Sequence, residues 1–279
     1  MTTDADQDKI PSLVYGTAWK EENTSRLTHM ALDAGFRGID TANQRRHYLE
    51  AGVGEAISRA FDEGIVRRED LFLQTKFTYA AGQDHRLPYD PGAPVASQVE
   101  QSFTSSLEHL GVESLDSFVL HGPSMRHGLT DTDWSAWGAM EALQRAGKTR
   151  WLGVSNVALD QLEELCEGAS VKPEFVQNRC FASMGWDLEV RQFCREHGLR
   201  YQGFSLLTAN PEVFRHPRLH EVARRLGADL PQVVFAFARQ VGMIALTGTT
   251  SAEHMTTDLE AQNLKLEAGE IADIERLIA

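Results

Sequence analysis

Arg37-Gly38-Ile39-Asp40-Thr41-Ala42-Asn43-Gln44-Arg45-Arg46-His47-Tyr48 runs from a short apolar strand into a carboxylate, with a tyrosine following in the same loop. A carboxylate at the end of a buried strand is costly unless a cation or hydrogen bonds satisfy it, so partners are expected close by. Two later stretches offer them. Leu71-Phe72-Leu73-Gln74-Thr75-Lys76 ends in a lysine and Ser117-Phe118-Val119-Leu120-His121 in a histidine, each at the same place relative to its own apolar run. If these strands are parallel neighbours, Asp40, Tyr48, Lys76 and His121 gather at one rim.

Working outward, strand one is expected at the centre of Ile10 to Trp19, with Gly16 allowing close backbone approach at its end, followed by a helix over 22–34 with Gly35 as its stop, strand two over 36–41, and a helix over 51–62. Apolar runs then recur at 71–77, 117–121, 151–155, 175–178, 201–205 and 243–247, separated by helical spacing at 95–110, 131–146, 159–167, 188–197, 211–226 and 231–240. A helix over 252–262 and a short, weakly helical tail from Leu264 follow. About eight strands, mostly continuous apolar runs, are what a parallel sheet covered on both faces requires. Eight strand-helix repeats predict a (β/α)8 TIM barrel, in a single domain over 1–279. A doubly wound sheet would usually show a G-x-G-x-x-G turn after its first strand, and the sequence has none there. In a barrel the loops at the carboxyl ends of the strands form the active face. The Gly- and Pro-rich stretch 79–94 lies on that rim and reads as a substrate-facing lid.

A chain of 279 residues suits one α/β barrel of roughly 250 residues. Its formal net charge of -13 argues against nucleic-acid binding, which needs a basic stripe to neutralise phosphates. Met1 to Lys9 is polar and acidic, and no apolar run approaches the ~20 residues of a membrane span, so a cytoplasmic protein without membrane attachment is expected. Cys166, Cys180 and Cys194 are odd in number without C-x-x-C spacing and read as reduced thiols. No signal for an obligate oligomer is visible; a monomer or weak oligomer is expected.

The four rim residues suggest proton chemistry. A lysine beside a tyrosine favours the phenolate and lowers the tyrosine pKa, while the aspartate keeps that lysine charged and fixed. The histidine donates to a carbonyl oxygen and orients it. Such a site suits protonation of an oxygen that gains negative charge when hydride adds to its carbon.

Gly16-Thr17-Ala18-Trp19, Gly38-Ile39-Asp40-Thr41-Ala42, Gly52-Val53-Gly54-Glu55-Ala56, Thr75-Lys76, His121, Gly153-Val154-Ser155-Asn156, Val176-Gln177-Asn178 and Ser205-Leu206 occur in this order on successive strands. In this the chain resembles the aldo-keto reductase family over nearly its whole length. The resemblance implies a TIM-like barrel that reduces a small carbonyl substrate with NADPH, or alternatively NADH. It maps the catalytic tetrad onto Asp40, Tyr48, Lys76 and His121. It places the cofactor against Gly16, Thr17, Asp40, Ser155, Asn156, Gln177, Ser205, Leu206, Gly248, Thr249, Thr250, His254 and Asp258, with Ser155, Asn156 and Gln177 on the nicotinamide carboxamide. That amide edge wants one donor and one acceptor, which Asn and Gln supply.

The sequence departs from the family pattern in three places. The tyrosine usually lies five residues after the aspartate; Arg45 stands there, and Tyr48 follows three residues later, so the loop must bulge to return it. His47 is the competing proton donor. Three residues after Gln177, where an aromatic often stacks on the nicotinamide, stands Cys180, leaving Phe181 or Trp186 for that role. At the adenosine end Gly248 and His254 replace the two cations that hold a 2'-phosphate, leaving the hydroxyls of Thr249 and Thr250 and a helix N-terminus.

Structural roles compete with these. Asp40–Lys76 also reads as a plain buried ion pair, His121 as a core histidine, and Ser155-Asn156 as a helix cap. Trp134, Trp137 and Met140 recur at helical spacing and read as core, while His216 and His220 read as a surface face rather than metal ligands. Two further functions stay open: reduction of an imine or ring carbonyl in biosynthesis, and a nucleotide-binding sensor without turnover.

Overall fold

The computed structural model describes residues 10–278; the acidic stretch Met1 to Lys9 lies outside them. Eight parallel strands close into a barrel in sequence order: β1 (Leu13–Gly16), β2 (Gly38–Asp40), β3 (Phe72–Phe77), β4 (Leu115–Leu120), β5 (Thr149–Ser155), β6 (Phe175–Arg179), β7 (Arg200–Phe204) and β8 (Met243–Thr247). The helices between them are α1 (Thr24–Ala34), α2 (Glu50–Asp62), α3 (Val95–Leu110), α4 (Asp131–Arg145), α5 (Leu159–Gly168), α6 (Leu188–His197), α7 (Pro217–Leu226) and α8 (Leu230–Gln240). Two more, α9 (Ala252–Glu260) and α10 (Ala268–Glu275), follow β8. The expected TIM barrel is therefore the observed fold.

Strand alternation produces two cores. Outward-facing Ile39, Leu73, Phe118, Val154, Val176 and Tyr201 pack under the helices. Inward-facing Val14, Phe72, Trp151, Phe175 and Leu246 fill the lower barrel, with Phe72 and Phe175 edge to face at 5.3 Å. Above this apolar plug the interior turns polar. Helix boundaries match the sequence pattern except at 211–226, where Pro217 lacks the N–H a continuing helix needs. A 3-10 turn (Val213–Arg215) ends there, and α7 begins afresh with His216 as its cap, accepting from Arg218 N–H at 3.2 Å.

Trp137 and Met140 are fully buried, and the Trp137 indole donates to Val171 O at 3.0 Å, so this helical stripe is core. Gly54 marks the closest helix approach: a Cβ there would lie 2.0 Å from His109 O. That contact seats α2 against α3 and lets buried Glu50 reach Thr75 Oγ1 and, at 3.1 Å, His109 Nδ1. The chain is thereby anchored two residues beyond Tyr48.

Candidate active site

The extended loop after β2 closes through one helical turn. Tyr48 N–H donates to Gln44 O at 3.0 Å and His47 N–H to the same oxygen at 3.1 Å. That turn takes up the added residues: Arg45 leaves the site for Glu21, 3.3 Å away, and Tyr48 reaches the cavity wall. The 79–94 segment braces the loop, with Gln44 Nε2 donating to Gly82 O and Gln83 Nε2 to Asn43 O, both at 2.7 Å. Tyr89 O–H donates to Thr78 O at 2.7 Å and Tyr79 O–H to Asp133 Oδ1 at 2.9 Å, so this stretch forms a fastened rim.

Lys76 is fully buried, and its ammonium donates to Asp40 Oδ1 and Oδ2 at 2.7 Å and to Thr41 O at 2.8 Å. Three donors meet three acceptors. The Tyr48 ring centroid lies 5.2 Å from this ammonium and 6.0 Å from the His121 ring, edge to face. The Tyr48 hydroxyl makes no hydrogen bond among the described residues. This corrects the expectation of a lowered tyrosine pKa. Burial, with the Asp40 charge adding to it, pushes the Tyr48 phenol above its usual range. The lysine N–H groups that would have favoured the phenolate are already taken. Burial also holds the Lys76 ammonium below the usual lysine range, against the pull of Asp40.

Thr78 Oγ1 lies 2.7 Å from His121 Nδ1, and its proton has no other acceptor among the described residues. It therefore donates to Nδ1, and the neutral ring carries its own proton on Nε2. Burial, then the positive charge of Lys76 and that of His47 when it is protonated, push the His121 pKa down to about 3. The opposite tautomer holds at His47. Gln44 Nε2 is committed to Gly82 O, so Gln44 Oε1 faces His47 Nδ1 at 2.9 Å and must accept from it. The ring lies tilted by 37° against exposed Trp19 with centroids 4.0 Å apart.

The cavity above these groups has a volume of about 1200 Å³. Gly16, Asp40, Ser155, Asn156, Gln177, Ser205, Leu206, Gly248, Thr249, His254 and Asp258 line it along with Tyr48 and His121. Thr17 and Thr250, placed in the site from the sequence, are not on its wall. Thr17 is fully buried and its hydroxyl donates to Asp40 O at 3.0 Å, while Thr250 faces solvent. Trp19, Asn156 and Ser205 adopt left-handed backbone with φ of 61°, 51° and 58°, and all three line the cavity. Strain of this kind collects at functional sites.

The amide groups are also more committed than residue type alone suggests. Both N–H bonds of Gln177 Nε2 are used, on Asp40 Oδ1 at 3.0 Å and Gln202 Oε1 at 2.8 Å. Asn156 Nδ2 donates to His121 O at 2.8 Å and Ser155 Oγ at 3.2 Å, and Ser155 Oγ to Gln177 O at 2.7 Å. In place of one donor and one acceptor, the pair has two acceptor oxygens left to offer.

A model of the Aldo/keto reductase family matches residues 12–210, most of the chain. The chain belongs to the aldo/keto reductase family. It is 28% identical over 262 residues to aldo-keto reductase family 4 member C11 of Arabidopsis thaliana, covering 87% of this chain and 78% of that protein. It is 28% identical over 271 residues to the uncharacterized oxidoreductase YtbE of Bacillus subtilis, covering 96% and 89%. Its fold superposes on the Bombyx mori aldo-keto reductase AKR2E4, solved with NADP, with a TM-score of 0.82 at 22% identity, covering 96% of this chain and 89% of the other.

In this aldo/keto reductase several cavity residues escape a reading that stops at the family motifs. Lys20, nearly buried, lines the cavity beside Trp19 and donates to the Gly248 carbonyl; burial lowers its pKa. Phe204, at the end of β7, is on the cavity wall, whereas the two aromatics expected to stack there, Phe181 and Trp186, are not. Trp186 is fully buried with its indole on Ile274 O at 3.0 Å, and Phe181 is off the wall. The rule that strand ends carry the site would have found both Lys20 and Phe204. Cys180 is fully buried and its thiol is pushed up to about 12 by burial, which makes it inert. At the opposite end, Ser251 caps α9 by accepting from His254 N–H at 3.3 Å, and Thr247 O–H donates to Asp258 Oδ2 at 2.8 Å. Burial raises the Asp258 carboxyl to about 6.

Proposed function

We propose that this protein reduces an aldehyde or ketone to the alcohol with NADPH, Tyr48 acting as the general acid. The observation that carries this reading is the convergence of the Tyr48 ring on the Lys76 ammonium at 5.2 Å and on the His121 ring at 6.0 Å, with Tyr48 and His121 both on the wall of the cavity. The cavity also fits a nicotinamide dinucleotide. Gln177 and Asn156 retain acceptor oxygens suited to a carboxamide N–H, Phe204 contributes an aromatic wall, and Lys20 is a cation without a carboxylate partner among the described residues. When bound, the nicotinamide supplies the hydride.

The chain's own residues handle the proton. His121 Nε2–H holds the substrate carbonyl oxygen, and the Tyr48 hydroxyl, free of any internal hydrogen bond, delivers its proton as charge grows there. The Asp40–Lys76 pair fixes the floor beneath the phenol and leaves a cation facing its ring. Because the Tyr48 pKa is raised and that of His121 lowered, neither group titrates near neutrality.

The test is NADPH oxidation with a panel of aromatic and α-dicarbonyl substrates, run beside NADH. Tyr48→Phe should cut kcat by about 10²–10⁴-fold, as loss of a general acid does, and the wild-type kcat should be flat from pH 6 to 9. Full turnover in Tyr48→Phe sinks the assignment. Tight NADPH binding with no reduction across the panel would instead favour a nucleotide-binding sensor, the role that the saturated Lys76 donors leave open.

A further inference from the structure

Directly beneath the rim, two side chains outside the tetrad span the barrel. Gln74 of β3 and Gln202 of β7 are both fully buried. Gln74 Nε2 donates to Asp40 Oδ1 at 2.7 Å and to Gln202 Oε1 at 2.9 Å, and Gln202 Nε2 returns a bond to Gln74 Oε1 at 3.2 Å. Gln177 Nε2 closes the circuit onto Asp40 Oδ1 and Gln202 Oε1. Two amides thus sit where the apolar fill of the barrel would otherwise continue upward from Phe72 and Phe175.

We propose that Gln202, oriented by Gln74, is a positioning residue that together with Asp40 locks the polarity of Gln177, and so decides which edge of the cofactor amide it can recognise. The logic starts from charge. An ionised Asp40 accepts and cannot donate, so Gln74 and Gln177 must both turn their NH2 groups toward it. Their remaining N–H bonds then require an acceptor between them, which is Gln202 Oε1. Reversing any one amide would place two donors or two acceptors face to face in the buried interior, so the ring of bonds has one favourable direction. Gln177 is thereby locked with its NH2 inward and Oε1 left as acceptor. This inference rests on the nicotinamide reading of the cavity and adds its orienting device.

Replacing Gln202 tests it, with NADPH affinity measured by quenching of the reduced-nicotinamide fluorescence. Gln202→Leu removes the second acceptor, leaves Gln177 held by Asp40 alone with one buried N–H unpaired, and should weaken NADPH binding by roughly tenfold, the worth of about one buried hydrogen bond. Gln202→Glu should behave differently. While protonated, a glutamic acid offers one O–H donor and one carbonyl acceptor in the pattern of the native amide, so affinity should approach wild type. As pH rises and the acid ionises beside Asp40, the donor to Gln74 Oε1 is lost and affinity should fall, a pH dependence absent from the wild type. A folded Gln202→Leu protein that binds NADPH within twofold of wild type overturns the proposal. So does a Gln202→Glu affinity that stays flat from pH 5 to 9, which decides the matter if the leucine variant does not fold. Failure of the wild type to bind NADPH at all would overturn the functional reading instead.

Discussion

The two ends of the cavity handle charge in opposite ways. At the β2–β4 corner Lys76 and Asp40 satisfy each other, each with further hydrogen bonds, and nothing charged is left over. At the β8–β1 end Lys20 rests on a backbone carbonyl and Asp258 on a threonine hydroxyl, and neither forms a salt bridge among the described residues. A charge neutralised by the protein holds a geometry. A charge given only a neutral partner stays available to a ligand, and until one arrives it depresses stability.

The contrast can be broken by three substitutions. Lys76→Met should be the most damaging, since it leaves Asp40 buried and unpaired; denaturant unfolding should show a loss of about 3–5 kcal/mol together with loss of turnover. A mild effect there would mean that the corner is not held by its ion pair. Lys20→Met should leave the fold intact yet weaken NADPH binding by about 2 kcal/mol, the range of a charge-assisted bond, with the difference shrinking as salt is raised. Unchanged affinity would show that this cation faces no phosphate.

Asp258→Asn should give the smallest effect and the opposite sign. The folded carboxyl has its pKa raised to about 6 from an ordinary 3.8, so the native state binds more protons than the unfolded one between those values. Its stabilising contribution is present below pH 3.8 and lost as pH rises to 6. The amide variant removes that loss and should be more stable by about 1–2 kcal/mol at pH 7, with little change at pH 4. Equal stability of the two proteins at pH 7 would show that burial does not penalise the carboxylate.

Legibility from sequence varied with the range of the interaction concerned. Strand and helix positions were readable because apolar periodicity is local, and the one merged helix, over 211–226, split at the proline that a stricter reading of Pro217 would have flagged. Asp40, Lys76 and His121 were readable as strand-end polar residues. Tyr48 was recoverable despite its displaced spacing because a loop of that length can close in one turn. The donors of Lys76, the tautomers of His47 and His121 and the direction of Gln177 were not readable. Each depends on which partner a side chain meets once the strand ends and rim loops are brought together, from two elements at Lys76 and His121 to three strands at Gln177.

By itself the sequence determined an eight-stranded barrel, the rim on which chemistry sits, and the residue types gathered there, because hydrophobic alternation and the carboxyl-end rule act through neighbours along the chain. Only the tertiary structure decided that the lysine is saturated, that the phenol is raised rather than lowered, and that two glutamines lie beneath the site. The reason is physical: hydrogen-bond capacity and desolvation are shared among side chains far apart in sequence, and their balance exists only once the barrel has closed.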